Sequence, residues 1–377
     1  MSRNDPGQTL VFSFDGTGNE PADADGFKQD ESISNVFKLH ILLGGGIEPQ
    51  PPVQTRSGRQ QKAFYYNGIG TRQDGLLWGF RQARQAVERI WPWDDPAQIL
   101  AEAEADLTDA YQPGDRIVVF GFSRGAALAR KFATILLEAD ERRRVAFLGV
   151  FDTVAAMGSL ISSDVVVEQG ALHERVQRAV HVVAIDEDRV AFTPTLIDTD
   201  ADDEERVTEI WFPGAHGDVG GGYWNDGLSD LTLAFMAGSC QRALGRDLVV
   251  TDGASATRPD ADGTVIAADD VALEPRFDAG IHVHRRFDST LFDRNVRDIH
   301  AGNRDPADTL PVLHYSVKQR VDGVADYRPP ALRDLDFRLW LGDGRFSPPI
   351  RGIGGLRRYR LPWRWRLRRM ARRLSSV

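Results

Sequence analysis

Cysteine is nearly missing from this 377-residue chain, with Cys240 alone. That excludes an internal disulfide framework and any cysteine-rich zinc site. Long apolar runs are missing as well. Nowhere do 18 apolar residues run together, so no membrane-spanning helix is expected. The first nine residues are polar, and the apolar run behind them, 10–14, is too short for the hydrophobic region of a signal peptide. The expectation is a chain that is cytoplasmic as synthesised. Lysine is scarce too, five of 46 basic residues, which reads as a composition bias without functional meaning.

The rest of the composition is ordinary. With 42% hydrophobic and 27% charged residues the chain is not wholly disordered. Its length allows one large α/β domain or two smaller ones. The net charge is −9, but it is unevenly spread. Residues 351–377 carry ten arginines and no acid, so the preceding 350 hold −19. An acidic body with a basic tail suggests that the tail has its own partner.

Segments rich in β-branched and aromatic residues alternate with helical patterns. This predicts an α/β fold with a mostly parallel sheet flanked by helices. Strands are expected at 10–14, 62–66, 116–120, 145–151 and 208–212. Helices are expected at 97–111, where Ile99, Leu100, Ala103 and Leu107 fall at helical spacing, at 126–137, and at 228–244. After residue 245 the pattern fades into a loop-rich part, with an insertion expected at 246–310 whose small, polar stretch 251–270 reads as loop. One domain over 1–345 and a basic tail over 346–377 is the expected organisation.

Gly121-Phe122-Ser123-Arg124-Gly125 is a G-x-S-x-G sequence between an apolar strand and an apolar helix. In that context it is a nucleophile elbow, with the Ser123 hydroxyl lifted above the sheet edge and the Arg124 N–H aimed at a developing oxyanion. The bland alternative is a glycine-rich turn with a structural serine. A serine nucleophile needs a base and a group to orient it. Asp152 ends the next strand and would emerge at the same edge, although a capping aspartate is also common there. Of the eight histidines, His40, His173, His181, His282, His284 and His300 lack a clear strand-end context. His216 and His314 remain. Chain order permits both Ser123–Asp152–His216 and Ser123–Asp218–His314, and spacing does not choose between them.

Asp15-Gly16-Thr17 ends the first strand at that edge and reads as an oxyanion or substrate loop. An aspartyl phosphatase of the D-x-D-x-T kind competes weakly, since position 13 is serine where that motif needs its nucleophile. Asp260-Ala261-Asp262-Gly263 misses the spacing of a calcium loop. No metal or organic cofactor is implied.

From Pro362, the residues Trp363, Leu367, Met370 and Leu374 make one apolar helical stripe, with Arg364, Arg366, Arg368, Arg369, Arg372 and Arg373 around it. Such a helix suits an anionic membrane surface, contacted by Trp363, Trp365, Arg364 and Arg368. Disorder, docking onto the acidic body and nonspecific nucleic-acid contact are the competing readings. No specific nucleic-acid partner is expected.

The stretches VFSFDGTGN at 11–19, YYNGIGT at 65–71, GDRIVVFGFSRGAALAR at 114–130, GVFDTVAAMG at 149–158, HVVAIDEDRVAFTPTL at 181–196 and WFPGAHGDVGGGY at 211–223 occur in one order. Together they resemble the α/β-hydrolase-like family that includes the first class of type VI secretion phospholipase effectors. HYSVKQRV at 314–321 and YRPPAL at 327–332 resemble its later segment more weakly. The resemblance implies Ser123 as nucleophile, Asp152 as acid and His216 as base, and so favours the first of the two triads. It implies a phospholipase or lipase acting at membranes through an acyl-enzyme, exported by a type VI secretion system, with an immunity protein and the secretion apparatus as partners. A soluble intracellular carboxylesterase or thioesterase is the first alternative. A non-enzymatic membrane- or partner-binding protein on a hydrolase scaffold is the second.

Overall fold

The computed structural model describes residues 7–17, 33–69, 95–155, 172–199, 203, 205–223, 227–251, 270–282, 293–302, 309–342 and 344–361. In chain order these form β1 (Gln8–Phe14), α1 (Asn35–Leu42), β2 (Val53–Gln54), β3 (Gln60–Tyr66), α2 (Asp95–Ala110), β4 (Arg116–Phe122), α3 (Ser123–Ala139) and β5 (Val145–Phe151). Then follow β6 (Ala179–Ala184), β7 (Val207–Phe212), α4 (His216–Gly220), α5 (Gly227–Leu244), β8 (Val312–His314), α6 (Tyr315–Gly323), β9 (Asp336–Trp340), β10 (Ile350–Arg351) and α7 (Gly352–Arg358).

The strands make one ten-stranded sheet in the order β10-β9-β8-β7-β6-β5-β4-β1-β3-β2. Every pairing is parallel except those of the two edge strands, β2 on β3 and β10 on β9. The architecture is that of an α/β hydrolase-like fold. From β1 the chain passes to β3 on one side and to β4 on the other. The loops leaving β1 and β4 therefore diverge at the carboxyl edge, which opens the crevice where α/β sheets place their ligands.

Both faces of the central strands are buried, so these strands read as near-continuous apolar runs. Along β1, Leu10, Phe12 and Phe14 pack under α2 and α3, against Ile99, Leu107, Ala129 and Phe132. Val11 points the other way, to Val36 and Leu39 of α1 and Leu233 and Met236 of α5. A third cluster joins β8 and β9 to α6 and α7 through Leu313, Val317, Leu339 and Leu356.

Several regions differ from what the sequence suggested, helix α1 and strand β2 among them. Strand β6 is fully buried, and its residues AVHVVA lack the turn signals that flank the other strands. Strands β8, β9 and β10 are three, five and two residues long, too short for a period to register. Residues 350–361, counted with the tail on sequence alone, pack against the sheet: β10 pairs with β9, Leu356 is buried, and Tyr359 and Leu361 lie against the same cluster. Trp363, Arg364, Trp365 and Arg368 lie outside the described residues, as does most of 251–270. Among the described residues no helix is long and apolar enough to cross a membrane.

Candidate active site

Strand β4 runs straight into α3 with Ser123 as the first helical residue. The reversal forces Ser123 to φ 57°, in the left-handed region. Such a turn requires the flanking glycines. A Cβ on Gly121 would press on Ala126 Cα and the Gly125 carbonyl, and one on Gly125 would overlap the Asp15 carbonyl oxygen. The second of these near-contacts brings the end of β1 against the elbow, so the loop leaving β1 borders Ser123.

Three side chains meet here from three strand ends. His216 Nε2 lies 2.9 Å from Ser123 Oγ, and His216 Nδ1 lies 2.6 Å from Asp152 Oδ2. A carboxylate only accepts, so Nδ1 carries a proton, and in the neutral imidazole the lone pair on Nε2 faces the hydroxyl. All three side chains are buried, with Asp152 wholly inaccessible. The imidazole is held between two rings: Phe122 at 4.7 Å and Phe192, edge-on, at 4.9 Å between centroids.

Asp152 follows β5 and also has positive φ, at 40°. Its Oδ1 accepts from Ala184 N–H at 2.9 Å, and the Arg297 guanidinium grips both oxygens, Nη1 on Oδ1 at 2.7 Å and Nη2 on Oδ2 at 2.9 Å. Burial by itself would drive this carboxyl up. The opposite charge of Arg297 and the bond from His216 outweigh it and hold the group well below the ordinary carboxylate range. His181 supports the same turn from β6: its Nε2 accepts the Thr153 N–H at 3.1 Å while Nδ1 meets Glu209 at 2.9 Å.

His216 opens the five-residue helix α4, where the sequence suggested a glycine-rich loop. Asp218, third in that helix, reaches back to accept the Ala215 N–H at 2.8 Å and takes His282 Nδ1 at 2.6 Å. Its carboxylate thereby fixes the turn that carries His216. Glu187 accepts the His216 N–H at 3.2 Å and is clamped by Arg189. Burial would raise the Glu187 carboxyl, but the hydrogen bonds and charge of Arg189 bring it down to about 2.

The second histidine has other company. His314, at the end of β8, stacks on Phe212 at 4.3 Å and Trp340 at 5.3 Å, and its Nδ1 bonds Ser316 Oγ at 2.8 Å. Burial among these rings lowers its pKa to about 3, so it is neutral at physiological pH. The structure thus brings together Ser123, His216 and Asp152, and does not join Asp218 and His314 to them.

At the end of β1, the Asp15 carboxylate receives Gly16 N–H at 2.6 Å, Ser34 Oγ at 2.6 Å and Tyr65 Oη at 2.5 Å. It is a brace for the loop. Thr17 Oγ1 is buried and has no hydrogen-bond partner among the described residues. Arg124 sits in the first turn of α3, where N–H groups point out of the helix end. Among the described residues no cluster of three or more histidine, cysteine, aspartate or glutamate side chains could hold a metal ion.

Arg297 and Ser34 escaped the sequence reading because they stand outside any catalytic motif and reach the site through long-range folding, while Tyr65 falls inside the stretch 65–71 that carried part of the family resemblance. Glu187 and Phe192 fall inside the stretch 181–196 that carried the family resemblance, which was the one signal available for them.

A family model described as the catalytic domain of Tle1-like phospholipase effectors of the type VI secretion system matches residues 8–140 and 137–239. An uncharacterized protein from Pseudomonas aeruginosa of known structure is 22% identical, with 71% of this chain and 49% of that one covered and a TM-score of 0.46. The structure of the Tle1 effector bound to the VgrG spike is 24% identical, covering 58% of this chain and 52% of that one, with a TM-score of 0.37. The RedJ thioesterase of the prodiginine pathway in Streptomyces coelicolor is 15% identical, covering 62% and 90%, with a TM-score of 0.32. This chain spans about half the length of the first two proteins. No curated protein matches it.

Proposed function

Starting from the premise that this chain belongs to the family of Tle1-like phospholipase effector catalytic domains, we propose that it is a serine hydrolase of carboxylic esters, with phospholipids as substrates. The observation that carries the reading is the Ser123 Oγ–His216 Nε2–Asp152 chain of contacts, 2.9 Å and 2.6 Å long.

In this mechanism Ser123 Oγ attacks the ester carbonyl carbon and its proton passes to His216 Nε2. Asp152 holds the Nδ1–H tautomer and stabilises the imidazolium as it forms. The imidazolium then protonates the departing alcohol, leaving an acyl group on Ser123. Water, deprotonated by the same imidazole, attacks the acyl carbon and releases the carboxylic acid. The oxyanion of each tetrahedral intermediate needs two donors. One is the Arg124 N–H. The Gly16 N–H is taken by the Asp15 carboxylate, so the second donor comes from Thr17, whose hydroxyl is unpartnered among the described residues.

Membership of the family, together with the likeness to an effector bound to the VgrG spike, supports delivery by a type VI secretion apparatus with its spike as partner. The basic segment beyond residue 361 would hold the enzyme at an anionic bilayer.

The test is fatty-acid release from phosphatidylethanolamine and phosphatidylglycerol vesicles, with a short soluble ester in parallel, wild type beside Ser123→Ala. Release from vesicles that vanishes in the variant is the expected result. Hydrolysis of the soluble ester alone would keep the mechanism and replace the phospholipase by a small-ester or thioester hydrolase. Full activity in Ser123→Ala would overturn the mechanism.

A further inference from the structure

Asp152 is fully inaccessible. A buried carboxylate with only neutral partners is strongly disfavoured. The charge that answers it comes from Arg297, whose side chain is 4% exposed and whose two terminal nitrogens each bond one carboxylate oxygen. A planar, bidentate guanidinium fixes the plane of a carboxylate as no ammonium can. Each terminal nitrogen also donates to a carbonyl: Nη1 to Ala184 at 2.8 Å and Nη2 to Phe192 at 2.5 Å. Phe192 is the ring edge-on to His216. One side chain therefore braces the acid and the wall on either side of the imidazole.

We propose that Arg297 is a positioning residue of the reaction: it aims Asp152 at His216 Nδ1, offsets the charge of that carboxylate, and seats Phe192 against the imidazole. This rests on the reading of Ser123, His216 and Asp152 as the reacting group. Arg297 has a second, electrostatic effect. The charged groups facing His216 are Asp152 with Arg297, and Glu187 with Arg189. An imidazolium forming beside an Asp152–Arg297 pair meets a nearly neutral neighbour. Without Arg297 it meets a bare carboxylate, which favours the protonated base to higher pH.

The experiment compares Arg297→Ala, Arg297→Lys and Ser123→Ala with wild type on a soluble ester across the pH range, with melting curves to verify folding. Arg297→Ala is expected to lose about 100-fold in kcat with KM little changed, as a misplacement of about 1 Å in the reacting groups does. The acid limb of its kcat/KM profile should move up by about one pH unit. Arg297→Lys restores the charge without the fork, so its acid limb returns towards wild type while kcat recovers only in part. Adding methylguanidinium to Arg297→Ala should raise kcat.

A folded Arg297→Ala with wild-type kcat and acid limb, beside a dead Ser123→Ala, overturns this inference and leaves the triad reading standing. An active Ser123→Ala overturns both. If Arg297→Ala does not fold, Arg297→Lys decides: wild-type kcat in that variant overturns the bidentate role.

Discussion

Ser123 and Asp152 share a backbone conformation that no other non-glycine residue adopts among the described residues: φ is 57° at one and 40° at the other. They leave adjacent parallel strands, β4 and β5, and the Val154 N–H bonds the Ser123 carbonyl at 3.2 Å, so the two turns are tied together. A left-handed residue with a Cβ costs about 1–3 kcal/mol and persists where the surroundings impose it. Here the two strained positions carry the proposed nucleophile and the acid that orients its base.

Ser123→Gly should therefore be more stable than Ser123→Ala by about 1 kcal/mol, because glycine adopts φ 57° without the Cβ penalty. Both variants should lose ester hydrolysis by about three orders of magnitude or more. Melting temperatures measured side by side check the first statement. Equal Tm values would show that the elbow stores no strain.

The two histidines should separate cleanly. His216→Ala is expected to abolish turnover. His314→Ala should retain turnover and lose about 2–4 kcal/mol, since it opens a cavity among Phe212, Tyr315 and Trp340. Urea unfolding and ester assays on the two variants test this. A dead but stable His314→Ala would restore the alternative triad.

Asp15→Ala removes the acceptor for Gly16, Ser34 and Tyr65 at once. The loop beside the elbow then loses its brace, and kcat should fall by about 100-fold, comparable to the loss of one oxyanion donor. Thr17→Val probes the proposed donor and should lower kcat without changing the melting temperature. Wild-type kcat in Thr17→Val would remove its hydroxyl from the oxyanion site.

Asp186 makes a prediction about pH. Its carboxyl accepts Gly214 N–H and Tyr327 Oη, both at 2.7 Å, and burial raises it from 3.8 to about 6. Between those values the folded protein holds a proton that the unfolded chain has lost. This group's contribution to stability therefore falls as pH rises through that window. Asp186→Asn keeps the acceptor and has no charge, so it should gain on wild type by about 2–3 kcal/mol between about pH 4 and about pH 7. Denaturant unfolding at the two pH values checks the sign. A gain towards acid would reverse it.

Residues 350–361 belong to the packed body. Truncation should accordingly begin after Leu361, where it removes the basic segment and spares β10 and α7. Vesicle hydrolysis is expected to fall and soluble-ester hydrolysis to stay. Equal loss on both substrates would argue against a membrane role for that segment.

The sequence by itself determined β1, β3, β4, β5 and β7 with helices α2, α3 and α5, because their apolar runs and helical stripes are long enough to recognise, while it passed over α1, β2, β6 and α4. It determined the elbow too, since Gly121 and Gly125 are demanded by contacts within a few residues of chain and by the strand beside them. It left His216 and His314 level as bases where only spacing was used: each follows a strand, and chain order allows either. Tertiary structure decided between their surroundings. Strand order β7-β6-β5-β4 brings His216 across to Asp152 and Ser123, while β8 carries His314 into a nest of aromatic rings. It alone supplied Arg297, which stands 145 positions from Asp152 and carries no local pattern. A bidentate ion pair is a matter of angles and ångströms between distant segments, and only the folded chain sets those.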